Sequence, residues 1–170
     1  MIIPINKPCY QYLYGKSMAT YHQGYFKPKN PAKYMGDPTG IVYRSSWELR
    51  LFSYLDAHPN VLKWASEETI IPYKSPIDGR WHRYYPDVYV EQINIDGKKQ
   101  KILIEIKPDA QTRPPNPGNK LTAKGNLSRR YLNEVKTWGT NEAKWKAAQE
   151  YCLDRGWTFQ IMTEKQLFGK

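Results

Sequence analysis

The apolar and polar positions of this chain follow two periods, and the change from one to the other marks out its elements. Glu48, Leu51, Phe52 and Leu55 recur at offsets of three, four and seven residues, so they share one face of a helix. Ser45 or Ser46 is a good N-cap for that helix, Glu48 lies in its first turn, and His58-Pro59-Asn60 ends it. Residues 61–64 read as a short apolar bridge. The period then drops towards two. Residues 68–73 (ETIIPY) predict an edge strand, because Pro72 has no N–H to give to a ladder. A turn at 76–79 (PIDG) pairs it in a hairpin with 81–90. Asp96-Gly97 signals a second hairpin, which joins 84–93 to 101–106. These three strands make an antiparallel meander. Helical spacing returns at 128–138 and 141–155, the second with Trp145, Ala148 and Cys152 as its apolar stripe and Gly156 just past its end. Residues 157–162 (WTFQIM) are a last strand and 163–168 a short closing helix. The order α-β-β-β-α-α-β predicts an α/β domain: a mixed sheet, an antiparallel meander at its core, flanked by helices.

Two stretches stand outside that pattern. Residues 1–20 have no clear period and no acidic residue, and read as an N-terminal arm or extension before a single domain over 21–170; Met18 is a plausible alternative start. Residues 21–38 are rich in Pro, Gly, Lys and Tyr, a composition that disfavours regular structure and suits a wrap around the domain, a path along a phosphate backbone or a plain solvated basic segment. Residues 108–126 hold four prolines and form a loop too long for a plain connection.

Charge narrows the partner. Lys and Arg number 26 against 16 Asp and Glu, a formal net charge of +10, which points to a polyanion and first to nucleic acid; a basic protein that binds nothing specific is the alternative. The two cysteines, Cys9 and Cys152, form no CxxC, which excludes a thiolate zinc site; so few argue against a disulfide framework and suit a reducing compartment. No apolar run approaches the roughly 20 residues of a membrane helix.

The chemistry sits between residues 84 and 108. Glu105 and Lys107 are two apart on a strand and project to one face, and Asp87 lies on the strand across the hairpin. The apolar flanks Ile102, Leu103, Ile104 and Ile106 place that strand inside the sheet. Buried carboxylates and a lysine on one face must repel, pair or bind something. Hard oxygen donors suit Mg²⁺, with Mn²⁺ as a substitute; the Ile106 carbonyl adds an oxygen, and Glu48 brings a third carboxylate from the helix. A lysine beside the metal can orient a water and help form hydroxide near neutral pH. The metal polarises a scissile phosphate. The alternatives are a Glu105–Lys107 or Asp87–Lys107 ion pair on a solvated face and, for Glu48, a capping carboxylate.

Pro86-Asp87 with Glu105-Ile106-Lys107 resembles the PD-(D/E)xK nuclease superfamily, and Arg44-Ser45-Ser46-Trp47-Glu48 resembles the helix signature of its TnsA endonuclease branch. The chain is more closely similar to the head completion nucleases of T4-like tailed phages, on GYFKPKNPAKYMGDP, YRSSWE, IPY, IEIKP, KWKAAQ and RGWTFQIMTE. The resemblance implies a restriction-endonuclease-like fold and Mg²⁺-dependent hydrolysis of double-stranded DNA. It assigns Glu48, Asp87 and Glu105 to the metal and Lys107 to catalysis. It further implies action in the host bacterial cytoplasm during head completion, before tail joining, with portal or neck proteins as partners and a place in the virion head or neck. A DNA- or portal-binding plug with an idle site, or a transposition or repair endonuclease, are the alternatives. Glu68 and Gln149 fall where relatives sometimes present accessory polar groups, against simple solvated roles. Arg44 and Arg83, near the ends of active-site elements, and Lys120, Lys124, Arg129 and Arg130, in and after the Pro-rich loop, are candidate phosphate contacts, against plain surface charge.

Overall fold

In chain order the elements are β1 (Gly24–Tyr25), β2 (Val42–Tyr43), α1 (Ser46–Ala57), β3 (Val61–Ser66), β4 (Ile71–Lys74), β5 (Trp81–Tyr84), β6 (Val88–Ile93), β7 (Lys99–Ile106), α2 (Arg129–Leu153), β8 (Thr158–Met162) and α3 (Glu164–Phe168). The computed structural model describes residues 23–168 except 117, 119, 123 and 124. The expected arm over 1–20 therefore lies outside the described residues, as does Lys124. The main sheet has the order β3-β6-β7-β8. The β3–β6 and β6–β7 pairs are antiparallel and β7–β8 is parallel, so the sheet is mixed, as expected. A parallel neighbour needs a crossover, and α2 supplies it. None of the described helices is long and apolar enough to cross a membrane.

The meander is there, but its first strand is not 68–73. Residues 61–66, read from sequence as a bridge, take that place as β3, with Val61, Trp64 and Ala65 buried. Instead, β4 pairs only with β5, in a separate two-stranded sheet inserted between β3 and β6. Pro86 accounts for the split: without an N–H it cannot extend β5 into β6, so the continuous strand expected over 81–93 divides around it. The two helices expected at 128–138 and 141–155 are one, of 25 residues. Gly139 does not break it, because a mid-helix glycine costs only about 1 kcal/mol and the packing of Trp145, Ala148 and Cys152 outweighs that.

Two cores lie on opposite faces of the sheet. On one, Leu51, Phe52 and Leu55 of α1 meet Val88, Val90, Ile102, Ile104 and Ile106. Trp64, with no exposed surface, is ringed there by Phe26, Tyr34 and Phe52 at centroid distances of 5.8, 4.8 and 5.2 Å. On the other face Ala148 and Cys152 of α2 cover Tyr89 and Leu103, together with Ile71, Tyr73 and Tyr84 of the inserted hairpin. Glu105 lies two residues beyond Leu103 on the strand, so it shares the α2 face. The basic stretch after β1 wraps the domain: the buried Asp56 carboxylate accepts the Lys29 and Asn30 N–H groups at 2.8 and 3.1 Å, and the Lys33 ammonium donates to the Asp56 and His58 carbonyls at 3.1 and 2.8 Å.

Candidate active site

Strand register brings the acids together. Val88 pairs with Ile104, so one step further Asp87 stands opposite Glu105. Asp87, just before β6, is tied down twice. Its Oδ2 accepts the Ile106 N–H at 2.6 Å, and its carbonyl accepts the Glu67 N–H at 3.2 Å. Glu105 is only 4% exposed, and both its oxygens are engaged. Oε2 accepts from the Tyr84 hydroxyl at 2.7 Å and Oε1 pairs with the Lys107 ammonium at 2.9 Å. Lys107 is positioned through its own N–H, which donates to the Met162 carbonyl at 3.0 Å and continues the β7–β8 pairing.

The electrostatics follow from burial. Desolvation, and then the charge of Glu105, push the Asp87 carboxyl up to about 8, against the Ile106 N–H and Lys107, which favour its ionised form. Desolvation opposes the Lys107 charge, but Glu105, Asp87 and Glu48 outweigh it and hold the ammonium above its ordinary pKa. Burial, and then Glu105, raise the Tyr84 hydroxyl well above its usual range, so it remains a donor.

Glu48 takes the capping role weighed for it. Ser45 is the N-cap: its Oγ accepts the Glu48 N–H at 3.1 Å. In return the Glu48 carboxylate accepts from the Ser45 hydroxyl and the Arg44 N–H, each at 2.8 Å. This is a reciprocal box at the start of α1. Glu48 is half-buried rather than part of the sealed stripe of Leu51, Phe52 and Leu55, yet it lies near enough for its charge to act on Asp87 and Lys107.

No three His, Cys, Asp or Glu side chains converge as a closed metal cluster among the described residues. Asp87 and Glu105 nevertheless fit a hard cation. Mg²⁺ needs one or two protein carboxylates and keeps its waters. Two facing carboxylates disfavour each other's charge even with the Lys107 ammonium beside them, so one is held protonated into the neutral range, and Asp87 Oδ1 accepts no hydrogen bond among the described residues. Ile106 brings its N–H to Asp87 from between Glu105 and Lys107.

The remaining candidates separate. Arg44 pairs with Glu67 at the rim; that contact, and then Glu48 and Asp87, raise its pKa. Arg83 is exposed on the hairpin, and Glu68 and Gln149 are exposed with no contact to the carboxylates. Arg129 is exposed, Arg130 pairs with Glu134 at 2.9 Å, and the Lys120 ammonium sits 5.5 Å from the Tyr131 ring centroid. Two residues were not singled out from the sequence. Tyr84 shows only strand alternation, and nothing local tells that its hydroxyl reaches Glu105. Glu67 has φ 55°, the one positive value for a non-glycine among the described residues, and no sequence signal marks it, since Glu does not favour that region.

Residues 58–164 match the family model for the N-terminal part of TnsA-like endonucleases, a span that takes in Asp87, Glu105 and Lys107 but starts beyond Glu48. The chain is also similar to the head completion nuclease of Enterobacteria phage T4, 42% identical over 147 residues, which cover 86% of this chain and 93% of that protein.

Proposed function

The chain belongs to the TnsA-like endonuclease family and is an endonuclease, and from that premise we propose that it hydrolyses phosphodiester bonds of double-stranded DNA with Mg²⁺ held by Asp87 and Glu105. Mn²⁺ would substitute, and Glu48 would supply the third acid to the ion. The observation that carries the reading is the facing pair of carboxylates with a lysine 2.9 Å from one of them. Bound Mg²⁺ supplies a Lewis acid for a phosphoryl oxygen and lowers the pKa of its water. Lys107, charged at neutral pH, is not a general base: it orients the attacking water and donates to the charge that builds on the phosphate. The Tyr84 hydroxyl keeps Glu105 from rotating away. Ile106, through its N–H, keeps Asp87 opposite it.

The similarity to the phage protein supports a biological setting: completion of phage heads in the infected bacterial cytoplasm, where the enzyme trims DNA at the filled head before the tail joins, in contact with portal or neck proteins. The direct test is cleavage of linear double-stranded DNA with Mg²⁺ by wild type, Asp87→Ala and Lys107→Ala. Cleavage by the wild type alone, abolished by EDTA, is expected; equal rates in all three would sink the catalytic assignment. For the setting, wild type but not Asp87→Ala should restore a phage lacking head completion nuclease. Full rescue by Asp87→Ala would mean that binding to DNA or portal, not cutting, is the contribution.

A further inference from the structure

The inserted β4–β5 hairpin has two unlike faces. Directly opposed residues share a face, so its register puts Ile71, Tyr73, His82 and Tyr84 on one side and Pro72, Lys74, Trp81 and Arg83 on the other. The first face is spent on structure: Ile71, Tyr73 and Tyr84 are buried in the core that α2 covers. All four residues of the second are exposed, and Trp81 is 72% exposed. Tryptophan is highly buried on average, so an indole displayed this fully calls for a ligand that uses its ring.

The surroundings of that ring narrow the ligand. Lys74 stands across the ladder from Trp81, and Arg83 lies two residues along on the same face. Neither makes an ion pair among the described residues. This face carries no acid; Asp78, in the connecting turn, is engaged by His82 at 2.9 Å. A π face between two uncommitted cations matches a base stacked on the ring with its neighbouring phosphates on the cations, the combination that recurs in single-strand binding. Away from its ends a duplex keeps its base faces covered by stacking and has no such surface to offer. The hairpin is also tied to the active site: Tyr84, the residue after Arg83 and on the hairpin's inner face, hydrogen-bonds Glu105, and Asp87 follows three residues later.

We propose that the outer face of the β4–β5 hairpin is a platform for an unpaired DNA strand, with Trp81 stacked on a base and Lys74 and Arg83 on the flanking phosphates. This rests on the reading of the protein as a DNA endonuclease and adds the form of DNA it engages beside the cut. The full-length Asp87→Asn protein, which binds without cutting, serves as parent. Its intrinsic fluorescence is titrated with a twelve-base oligo-dT and with a blunt duplex of the same length. Oligo-dT should quench the parent, and Trp81→Ala should remove most of that quench and weaken oligo-dT binding about tenfold or more, several times its effect on the duplex. Trp81→Phe should restore most of the affinity. Lys74→Ala and Arg83→Ala should each flatten the salt dependence by about 0.7 in the log–log slope, the value for one phosphate on a single strand. Unchanged oligo-dT affinity in Trp81→Ala, equal losses on oligo-dT and duplex, or no oligo-dT binding by the parent would each overturn the platform. The catalytic reading fails separately, through wild-type cleavage that does not depend on Asp87. Because Trp81 buries little of its ring, the thermal transition of Trp81→Ala should match the parent's and exclude misfolding as the cause.

Discussion

Asp87 holds its proton up to about pH 8 because burial and the facing Glu105 both oppose its charge. An unfolded aspartate titrates near 3.9. A folded pKa raised above the unfolded one contributes stability that is full below about pH 4 and is lost as pH rises through about 8. Asp87→Asn cannot ionise and escapes that loss. In EDTA, urea unfolding should therefore show Asp87→Asn gaining on wild type as pH rises from 5 to 8, with little difference at pH 4; a gap that is flat or shrinks with pH would contradict the assignment. Lys107→Ala removes the donor to the developing charge, and cleavage should fall by roughly a hundredfold or more. Tyr84→Phe takes one hydrogen bond from Glu105 and leaves the ring in place. The Mg²⁺ concentration for half-maximal cleavage should rise about 10- to 100-fold, as for other groups that orient a metal ligand. An unchanged Mg²⁺ titration curve would remove Tyr84 from the site. The meeting of Asp87, Glu105 and Lys107 was legible in the sequence because strand alternation puts Glu105 and Lys107 on one face and the hairpin turn at Asp96-Gly97 brings Asp87 across from them. Tyr84 was not, since its role depends on a hairpin folding back over a different sheet.

At the scale of elements, local rules held wherever the structure is local. Of the two serines before the apolar stripe, Ser45 is the one that caps α1, and Ser45→Ala should cost about 1 kcal/mol in denaturant unfolding. The two helices expected at 128–138 and 141–155 run as one through Gly139. A Cβ there would meet only Pro76 Cγ at 3.8 Å, ordinary contact. Gly139→Ala should accordingly stabilise α2 by about 1 kcal/mol and raise Tm by roughly 2–4 °C. A lowered Tm would show that α2 needs the glycine. The strand at 61–66 escaped notice because so short an apolar run shows no period; its partner β6 makes it a strand. The family match covers both β3 and β6 and supports the mixed sheet they share.

Across the whole molecule the +10 charge is the broadest signal, and it is unevenly committed. Lys33 is tied to carbonyls at the end of α1 and the turn after it, Arg44 to Glu67 and Arg130 to Glu134, while Lys74 and Arg83 pair with no acid among the described residues. Binding of duplex DNA by Asp87→Asn should still weaken steeply with salt, by at least tenfold between 50 and 200 mM, because phosphate contacts release counterions. An affinity indifferent to salt would mean the excess charge serves solubility alone. By itself the sequence determined where α1 starts, the hairpin turns, the faces of the strands and the meeting of Asp87, Glu105 and Lys107, because each rests on local spacing and turn signals. The tertiary structure alone decided that β3 and not β4 begins the meander, that Glu48 spends its carboxylate on the start of α1, and that Tyr84 reaches Glu105. Those outcomes depend on which distant segments pair and which charges lose their water, and neither is written in any local pattern.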